Sequence, residues 1–462
     1  MAALARWYYT RLSRSSTTAY LKGTIDIVTA DLSTASATVV PRSEHNISRK
    51  NISQSALKVL HRLTEYGHQA YLVGGSVRDL LLETRPKDFD VATSATPEEV
   101  RALFRNSRLI GRRFRLVHVR FGREAVEVAT FRAGHSADEV SERTTADGRL
   151  LSDNVYGTLE EDAMRRDFTV NSLYYDARNF SVLDFAGGLE DLESGQLRLI
   201  GDPETRYRED PVRMLRAIRF AAKLDFELSP ETGEPIEHLS HLLDDIPAAR
   251  LFDEVLKLLM SGHGVASLER LRAHDLFRYL FPATDACLAE APDGVAVRLL
   301  SQAMINTDAR LAIDKPVTPG FLFAALLWPP VQVEQQRMLE VDDGEPHTLH
   351  ERAAGSVIAS QIQCISIPRR FSQMARDIWA MQARLERRRR KDAIALIGHP
   401  RFRAAYDFLV LRAEAGEPVS ELAEWWTEFQ TFDPEGREIA LKSLPGGGRR
   451  RRGPRRRRPR VA

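Results

Sequence analysis

The chain has 462 residues, of which 43% are hydrophobic, and a net charge of +2. This length exceeds what one hydrophobic core usually supports, so we expect at least two packed units. No apolar run approaches the roughly 20 residues that span a bilayer, and the two cysteines, Cys287 and Cys364, lie far apart without neighbouring metal ligands. These features argue against a membrane protein, a disulfide-bonded secreted domain and a cysteine zinc site, and they favour a cytoplasmic protein.

The first 45 residues predict a disordered leader. They are rich in Arg, Ser and Thr and contain no acidic residue before Asp26. They also lack the apolar segment of a secretory signal, so we do not expect them to direct secretion.

The next elements predict a strand that leads through a glycine turn into a helix. Apolar residues recur at helical spacing over Ala56–His68, and Ala70–Val73 follows as a short buried strand. Gly74 and Gly75 end this strand, and Val77–Leu82 predicts a second helix. Glycines at such a turn let backbone N–H groups approach phosphate oxygens at the positive end of a helix.

Ser76 follows the glycine turn directly. Its hydroxyl is expected either to bind phosphate or to cap the helix. The turn matches neither the G-x-G-x-x-G dinucleotide motif nor a P-loop, because no G-K-[ST] follows it.

A second predicted strand, Asp88–Thr93, carries two acidic residues. Asp88 and Asp90 are expected to project from one face, while Phe89 points toward the core on the other. Two carboxylates on one face suit a divalent metal, and Mg²⁺ commonly combines a few carboxylates with substrate phosphates. We therefore predict that both residues bind catalytic Mg²⁺, with Mn²⁺ as the alternative because both ions accept oxygen ligands.

The remaining elements predict a mixed sheet followed by helices. Thr96–Glu99 has the N-cap, proline and glutamate that begin a helix. Leu116–Phe121 and Ala125–Phe131 alternate on either side of a turn, and the polar segment Gly134–Asn154 indicates a loop near the site. Beyond the sheet, helical spacing dominates, most clearly over Val212–Leu224. The predicted fold is α+β, with an N-terminal mixed-sheet domain, an all-α C-terminal region and a basic disordered tail.

The C-terminal tail carries a dense positive charge. It holds nine arginines and no acidic residue, and removing these nine charges from the net +2 leaves about −7 for the remainder. Because each arginine that neutralises a phosphate releases a counterion, a basic tail on an acidic body favours a polyanion such as RNA. The tail residues predicted to bind RNA are Arg449, Arg450, Arg451, Arg452, Arg455, Arg456, Arg457, Arg458 and Arg460.

Four motifs together resemble one enzyme family. They are LVGGSVRD at Leu72–Asp79, KDFD at Lys87–Asp90, RRDFTVN at Arg165–Asn171 and EDPVR at Glu209–Arg213. In this order they resemble the bacterial poly(A) polymerase and CCA-adding branch of the polymerase-β-like nucleotidyltransferases. The resemblance is strong over residues 46–222 and weaker through the helical half.

The resemblance implies a division of the chain into five parts. These are a disordered leader over 1–45, a nucleotidyltransferase domain over 46–205, a helical neck over 206–275, a helical RNA-binding region over 276–440 and an arginine-rich disordered tail over 441–462.

The resemblance also implies roles for the matching residues. Asp88 and Asp90 are the metal carboxylates, and Asp167 is the third acidic member. Glu127 is the alternative for that third role, because the alternation of its strand can place it beside the metal face. The residues implied in nucleotide binding are Gly74, Gly75, Ser76, Arg78, Arg166, Asn171, Asp210, Arg213 and Arg216.

The EDPVR motif is implied in reading the base. Asp210 and Arg213 offer an acceptor and donors at i and i+3, which suits base recognition without a template. The structural alternative is that Asp210 caps a helix whose first residue is Pro211, with Arg213 exposed.

The segment Leu109–Gly122 resembles the signature that separates bacterial poly(A) polymerases from CCA-adding enzymes. The resemblance therefore implies transfer of AMP from ATP to RNA 3′ ends without a template, releasing pyrophosphate, in RNA polyadenylation and turnover. Proteins of RNA turnover are candidate partners. CCA addition to tRNA is the alternative within the family, and RNA binding without catalysis is the alternative from another class.

Overall fold

The computed structural model describes residues 37–111, 115–133, 155–388 and 390–442, with only the backbone described for 390–392. The chain divides into two compact units, the first ending at Leu243 and the second beginning at Asp244. This boundary falls within the region 206–275 that we expected to form one neck. The arginine tail, the loop Gly134–Asn154 and most of the leader lie outside the described residues. In the described part, no helix is long and apolar enough to cross a membrane.

Unit 1 is built on an eight-stranded sheet. Its strands are β1 (Thr38–Val40), β2 (Ala70–Val73), β3 (Asp90–Thr93), β4 (Ser107–Ile110), β5 (Leu116–Phe121), β6 (Glu124–Thr130), β7 (Leu173–Asp176) and β8 (Ser181–Asp184). Their order is β1-β8-β7-β2-β3-β6-β5-β4. All neighbours are antiparallel except β3 and β6, which are parallel. The predicted α+β fold with a mixed sheet is confirmed.

Eight helices and a small ladder complete the description of unit 1. The helices are α1 (Gln54–Glu65), α2 (Gly75–Leu81), α3 (Pro97–Leu103), α4 (Leu159–Met164), α5 (Gly188–Ser194), α6 (Pro203–Glu209), α7 (Val212–Leu224) and α8 (Pro230–Leu239). The ladder pairs β9 (Gln196–Leu197) in parallel with β10 (Glu227–Leu228). At the start of α3, Thr96 and Glu99 form the predicted reciprocal capping box, which satisfies two backbone N–H groups.

The two faces of the sheet pack against different helices. On one face, the strands and helices α1, α2 and α3 form a large core that includes Leu72, Val91, Val128, Val59, Val77 and Val100. On the other face, the strands and α4 form a smaller core that includes Val73, Ala92, Tyr174, Leu159 and Ala163. Phe89 packs against the large core, as predicted. Because side chains alternate along a strand, Asp90 lies on the face of the smaller core.

Three expectations from the sequence need correction. The disordered leader does not extend to residue 45, because Thr38–Val40 pairs with β8 at the sheet edge. The strand predicted over Asp88–Thr93 begins only at Asp90, since β2 ends at Val73, which is the partner of Asp90. Among the described residues after the sheet domain, every element is helical except β10, a two-residue strand.

Unit 2 is helical throughout its described residues. Its α-helices are α9 (Ala248–Leu259), α10 (Gly264–Ala273), α11 (Phe277–Leu280), α12 (Pro282–Glu290), α13 (Val295–Leu311), α14 (Pro319–Leu326), α15 (Trp328–Val341), α16 (Pro346–Cys364), α17 (Arg369–Arg387), α18 (Arg390–Ile397), α19 (Phe402–Glu414), α20 (Ser420–Phe429) and α21 (Pro434–Lys442). Buried tryptophans fix several of these helices. The indole of Trp379 donates to the carbonyl of Ala324 at 3.0 Å, and that of Trp426 donates to Leu385 at 3.1 Å.

Candidate active site

A row of paired residues crosses five strands of unit 1 at one end of β3. In order, the row is Tyr174 on β7, Val73 on β2, Asp90 on β3, Glu127 on β6 and His118 on β5. Directly paired residues project to the same face of a sheet. The register therefore brings Asp90, Glu127 and His118 together, with the glycine turn immediately after Val73.

Asp88 and Asp90 concentrate negative charge at this row. Asp90 keeps contact with solvent, but the protein packed around its carboxylate desolvates the charged form. This desolvation, with the like charges of Glu127 and Asp88, raises the pKa of Asp90 to about 6, against the opposing effects of Arg166 and His118. The predicted acidic pair is thus part of one electrostatic cluster.

Glu127 joins this cluster from the parallel strand. Its Cα position is in register with Asp90 on one side and with His118 on the other. The Glu127 carboxylate lies 3.4 Å from Nε2 of His118. Glu127, one of the two residues expected as a third carboxylate, therefore lies in the same row as Asp90.

Asp167, the other residue expected as a third carboxylate, is bound by Arg216. Its carboxylate accepts a hydrogen bond from Nε of Arg216 at 2.8 Å, a second from the same guanidinium, and one from the N–H of Phe168 at 3.0 Å. Burial would raise the pKa of Asp167, but Arg216, the Phe168 N–H and Arg213 together hold it below its ordinary value. Asp167 and Arg216 therefore satisfy each other and tie α7 to the segment after α4.

The glycine turn presents unpaired backbone donors. Gly74 has a φ of +75°, a conformation that favours glycine, and it begins α2 without a side-chain cap. In the described chain, no acceptor lies within hydrogen-bonding distance of the N–H groups of Gly75 and Ser76. The Ser76 hydroxyl does not cap the helix, because it is buried and donates to the carbonyl of Val73 at 3.1 Å.

Arg166 is held over this turn by a buried network. Its Nε donates to the Tyr174 hydroxyl at 2.8 Å, and its Nη2 donates to Asp162 at 2.9 Å. The Tyr174 hydroxyl donates in turn to Asp162 at 2.7 Å. Burial alone would lower the pKa of Arg166, but Tyr174 and Asp162 raise it above its ordinary value. The remaining nitrogen, Nη1, lies 3.7 Å from where a Cβ on Gly74 would stand.

Arg78 and Asn171 bind each other beneath the turn. Nη1 of Arg78 donates to Oδ1 of Asn171 at 2.5 Å, and its Nε donates to Asp79 at 2.8 Å. The Arg78 guanidinium also lies over the ring of Phe220, 5.6 Å from its centroid. With Arg78 only 1% exposed, its role in this structure is to support the turn from within.

Arg213 is oriented by the end of the preceding helix. Its Nη1 donates to the carbonyl of Arg206 at 2.6 Å and to Glu209 at 2.9 Å. Asp210 ends α6, and its side chain accepts from the N–H of Val212 at 3.3 Å. Asp210 therefore accepts from the first residue of α7, as the capping alternative expects, although Pro211 is the N-cap and Arg213 is half-buried instead of exposed.

The sequence reasoning missed Asp162 and Tyr174. The ion pair between Asp162 and Arg166 could have been predicted, since Asp162 precedes Arg166 by four residues, the spacing of an ion pair on a helix. The role of Tyr174 had no local signal, because it depends on the pairing of β7 with β2.

Comparisons with known proteins agree with this geometry. Family models described as "Poly A polymerase head domain", "Probable RNA and SrmB- binding site of polymerase A" and "Polymerase A arginine-rich C-terminus" match residues 70–198, 225–288 and 343–460. Poly(A) polymerase I of Salmonella typhi is 51% identical over 432 residues, which cover 92% of this chain and 93% of that protein. The chain belongs to the poly(A) polymerase family.

CCA-adding enzymes are more distant relatives. That of Streptococcus pyogenes serotype M3 is 41% identical over 226 residues, which cover 48% of this chain and 54% of that protein. The crystal structure of the Bacillus stearothermophilus CCA-adding enzyme with CTP has a TM-score of 0.51 and 27% identity, covering 81% of both chains. The predicted family, and its poly(A) branch rather than its CCA branch, are confirmed.

The poly(A) polymerase family implies a divalent metal, and the carboxylates at the row fit one. Desolvation, together with the like charges of Glu127 and Asp88, raises the pKa of Asp90, and a bound cation would favour its charged form. In the described residues, no three His, Cys, Asp or Glu side chains are grouped closely enough to hold a metal by themselves. A divalent ion held by Asp88 and Asp90 would therefore need substrate phosphates and water to complete its coordination.

Proposed function

We propose that this chain transfers AMP from ATP to the 3′-hydroxyl of RNA without a template and releases pyrophosphate. The observation that carries the proposal is the register of Asp90 with Glu127, directly beside the unpaired N–H groups of the glycine turn. Carboxylates for a metal and donors for a triphosphate thus meet at one end of β3. The 51% identity to Poly(A) polymerase I supports the choice of reaction.

The proposed metal ligands are Asp88 and Asp90, with Glu127 as the third carboxylate in place of Asp167. Mg²⁺ is the proposed ion, and Mn²⁺ is the alternative because it accepts the same oxygen ligands. When bound, the ion supplies charge neutralisation for the triphosphate and polarisation of the attacking hydroxyl. The carboxylates contribute by fixing the position of the ion's positive charge before the reaction begins.

The proposed triphosphate site is the turn itself. The N–H groups of Gly75 and Ser76 are available as donors, and Nη1 of Arg166 adds a fixed positive charge beside Gly74. Because Tyr174 and Asp162 occupy the other donors of Arg166, its guanidinium is oriented before ATP arrives. Arg78 is proposed to support the conformation of the glycine turn from beneath. Asn171 is proposed to donate a hydrogen bond from its amide to ribose or phosphate.

Asp210 and Arg213 are the proposed readers of the adenine base. Glu209 and the carbonyl of Arg206 hold the Arg213 guanidinium in place. A fixed guanidinium can hydrogen-bond only to bases whose acceptors match its position. Arg216 is proposed to contribute indirectly, because its guanidinium is bound to Asp167.

RNA is the proposed acceptor, and the arginine tail is proposed to hold it by its phosphates. Partners from RNA turnover are proposed as well, supported by the protein-binding description of the family model over residues 225–288. A cytoplasmic location is proposed because ATP is the substrate and because Cys287 and Cys364 are both free thiols.

One experiment tests the reaction and its branch together. Purified protein receives either an unstructured RNA with each nucleoside triphosphate separately, or a tRNA lacking its 3′ CCA with CTP and ATP. We expect long extension of the unstructured RNA with ATP alone. Restoration of CCA on the tRNA without such extension would contradict the proposal and assign the chain to the CCA-adding reaction.

A further inference from the structure

We propose that one face of α17 binds the phosphate backbone of RNA. The surface, here called the α17 arginine row, consists of Arg369, Arg376, Arg384 and Arg387, all of them exposed. The inference rests on the proposed function in one respect: the RNA held by this row is the RNA whose 3′ end is extended.

The row is continuous along the helix. At 3.6 residues per turn, Arg369, Arg376 and Arg387 fall within about 20° of one another around the axis, and Arg384 lies about 60° away. At about 1.5 Å per residue, the row extends about 27 Å from its first to its last member. The opposite face is buried, with Ile378, Trp379 and Leu385 in the core of unit 2. The helix is therefore fixed in orientation, with its arginines directed outward.

None of the four arginines has a carboxylate partner within the part of the chain that the structure describes. The acidic residue on this side of the helix, Asp377, is occupied by Arg401 at 3.5 Å and by Gln373 at 2.8 Å. Among the described residues, no ion pair compensates the charge of the row, and like charges on one helix face repel one another unless an anion is present.

Other arginines of unit 2 behave differently. Four of them form ion pairs with nearby acids, at 2.8 Å for Arg278 and Asp275, 2.8 Å for Arg337 and Glu334, 2.6 Å for Arg352 and Asp342, and 2.8 Å for Arg403 and Asp407. Arg412 is buried against Trp328 and Glu417. The α17 arginine row differs from these five arginines, because its members lie on one side of a single helix and have no carboxylate partner among the described residues.

The composition of the row favours RNA over a protein or a lipid surface. Protein interfaces have an apolar centre, but the described part of α17 exposes no large hydrophobic side chain. A membrane-bound amphipathic helix inserts its apolar face, whereas that face of α17 is buried in unit 2. A line of unpaired guanidinium groups matches a phosphate backbone, which it binds by neutralisation and counterion release without reading sequence.

The test compares two variants of the full-length protein that lose the same charge. In one, all four residues of the row are changed to Gln (R369Q, R376Q, R384Q and R387Q). In the matched control, four arginines that are ion-paired to nearby acids and lie outside residues 225–288 are changed (R208Q, R337Q, R352Q and R403Q), with Arg208 paired to Glu204 at 2.6 Å. The affinity for a single-stranded RNA is measured at several salt concentrations, without ATP or metal, so the readout does not depend on whether the chain extends RNA.

We expect the row variant to bind RNA more weakly and to lose about 0.7 from the slope of log affinity against log salt for each phosphate contact removed, up to about 2.8. The control variant should keep the wild-type slope. A variant of the row with Lys at all four positions should keep most of the slope, which provides a second measurement if the Gln variant is unstable.

Equal slopes for the row variant and the control would overturn the proposal. A row variant that binds RNA as wild type does but loses affinity for polyglutamate would also overturn it, and would assign the row to an acidic protein surface. Single Arg→Gln variants, each checked for its thermal unfolding, give the contribution of each position.

Discussion

Asp90 and Glu127 are paired in register across the parallel junction of β3 and β6. Their side chains project to the same face, and the charge of Glu127 helps to raise the pKa of Asp90. Asp167, which the family resemblance favoured as the third carboxylate, is instead bound by Arg216. We therefore propose Glu127, the alternative that the sequence offered, for the third carboxylate position.

Replacing Glu127 by Gln should remove activity without destabilising the fold. We expect kcat to fall by about 100-fold, the order of loss seen when one group that stabilises developing charge is removed. The midpoint of thermal unfolding should stay the same or rise, because the substitution removes a like charge beside Asp90. Steady-state kinetics and thermal unfolding of the same preparation test this. Near-normal kcat would remove Glu127 from the site.

Replacing Asp167 by Asn should lower the stability of the fold more than the activity, unlike Glu127→Gln. The change leaves Arg216 without its counter-charge, and breaking a buried pair by removing one partner costs about 3–5 kcal/mol. Because the Arg216 side chain is 33% exposed, we expect a loss of about 2 kcal/mol in the free energy of unfolding. The kcat of the folded variant should fall much less than in Glu127→Gln. An unchanged unfolding free energy would show that the ion pair contributes nothing to stability.

The stability contributed by Asp167 should depend on pH with a defined sign. Its pKa is lowered in the folded protein, mainly because Arg216 and the Phe168 N–H outweigh the effect of burial. Its contribution is therefore complete above its unfolded pKa of about 3.9 and is lost as pH falls through the lower folded pKa. Urea unfolding of wild type and Asp167→Asn from neutral to acid pH should show their difference shrinking below about pH 4. A difference that grows on acidification would contradict the assignment.

Tyr174→Phe should weaken ATP binding through Arg166. The substitution removes the hydroxyl that accepts from Arg166 at 2.8 Å and donates to Asp162 at 2.7 Å. We expect KM for ATP to rise about 10-fold, equivalent to about 1.4 kcal/mol, with a smaller change in kcat. Tyr71→Phe is the matched control, because Tyr71 lies in the same core but accepts from Arg178 at 3.2 Å. Equal KM values for the two variants would contradict a positioning role for Tyr174.

Glu209→Gln should reduce discrimination between bases. Glu209 accepts from Arg213 at 2.9 Å and from Arg206 at 3.1 Å, so the substitution loosens the proposed base reader. We expect the ratio of kcat/KM for ATP over CTP to fall by about 10-fold. Glu204→Gln is the control on the same helix, since Glu204 pairs with Arg208 at 2.6 Å. A ratio that changes equally in both variants would argue against Arg213 as the reader.

Local patterns predicted the elements that lie around the site. The strand Ala70–Val73, the glycine turn and the helix Val212–Leu224 all follow from spacing within a few residues, and the structure has each of them. The strands β7 and β8 escaped prediction because all of their residues are buried, so they lack the alternation that marks a half-exposed strand.

The composition of the site was harder to predict because it depends on register. Glu127 reaches Asp90 through the pairing of two strands that are distant in sequence, and a shift of one residue would turn its side chain to the other face. The pairing of Asp167 with Arg216 joins residues 49 positions apart. No local motif contains either relationship, so the choice between Asp167 and Glu127 could not be made from the motif alone.

Asp88 and Asp90 are the residues on which the proposed reaction depends most directly. Its test is the incorporation of AMP into an unstructured RNA by Asp88→Asn and Asp90→Asn. With RNA binding measured in parallel, we expect the rate to fall by at least about 1000-fold in each variant, equivalent to about 4 kcal/mol of transition-state stabilisation. RNA affinity should stay close to that of the wild type, because phosphates are held elsewhere. Near-normal incorporation by either variant would contradict the placement of the reaction at this end of β3.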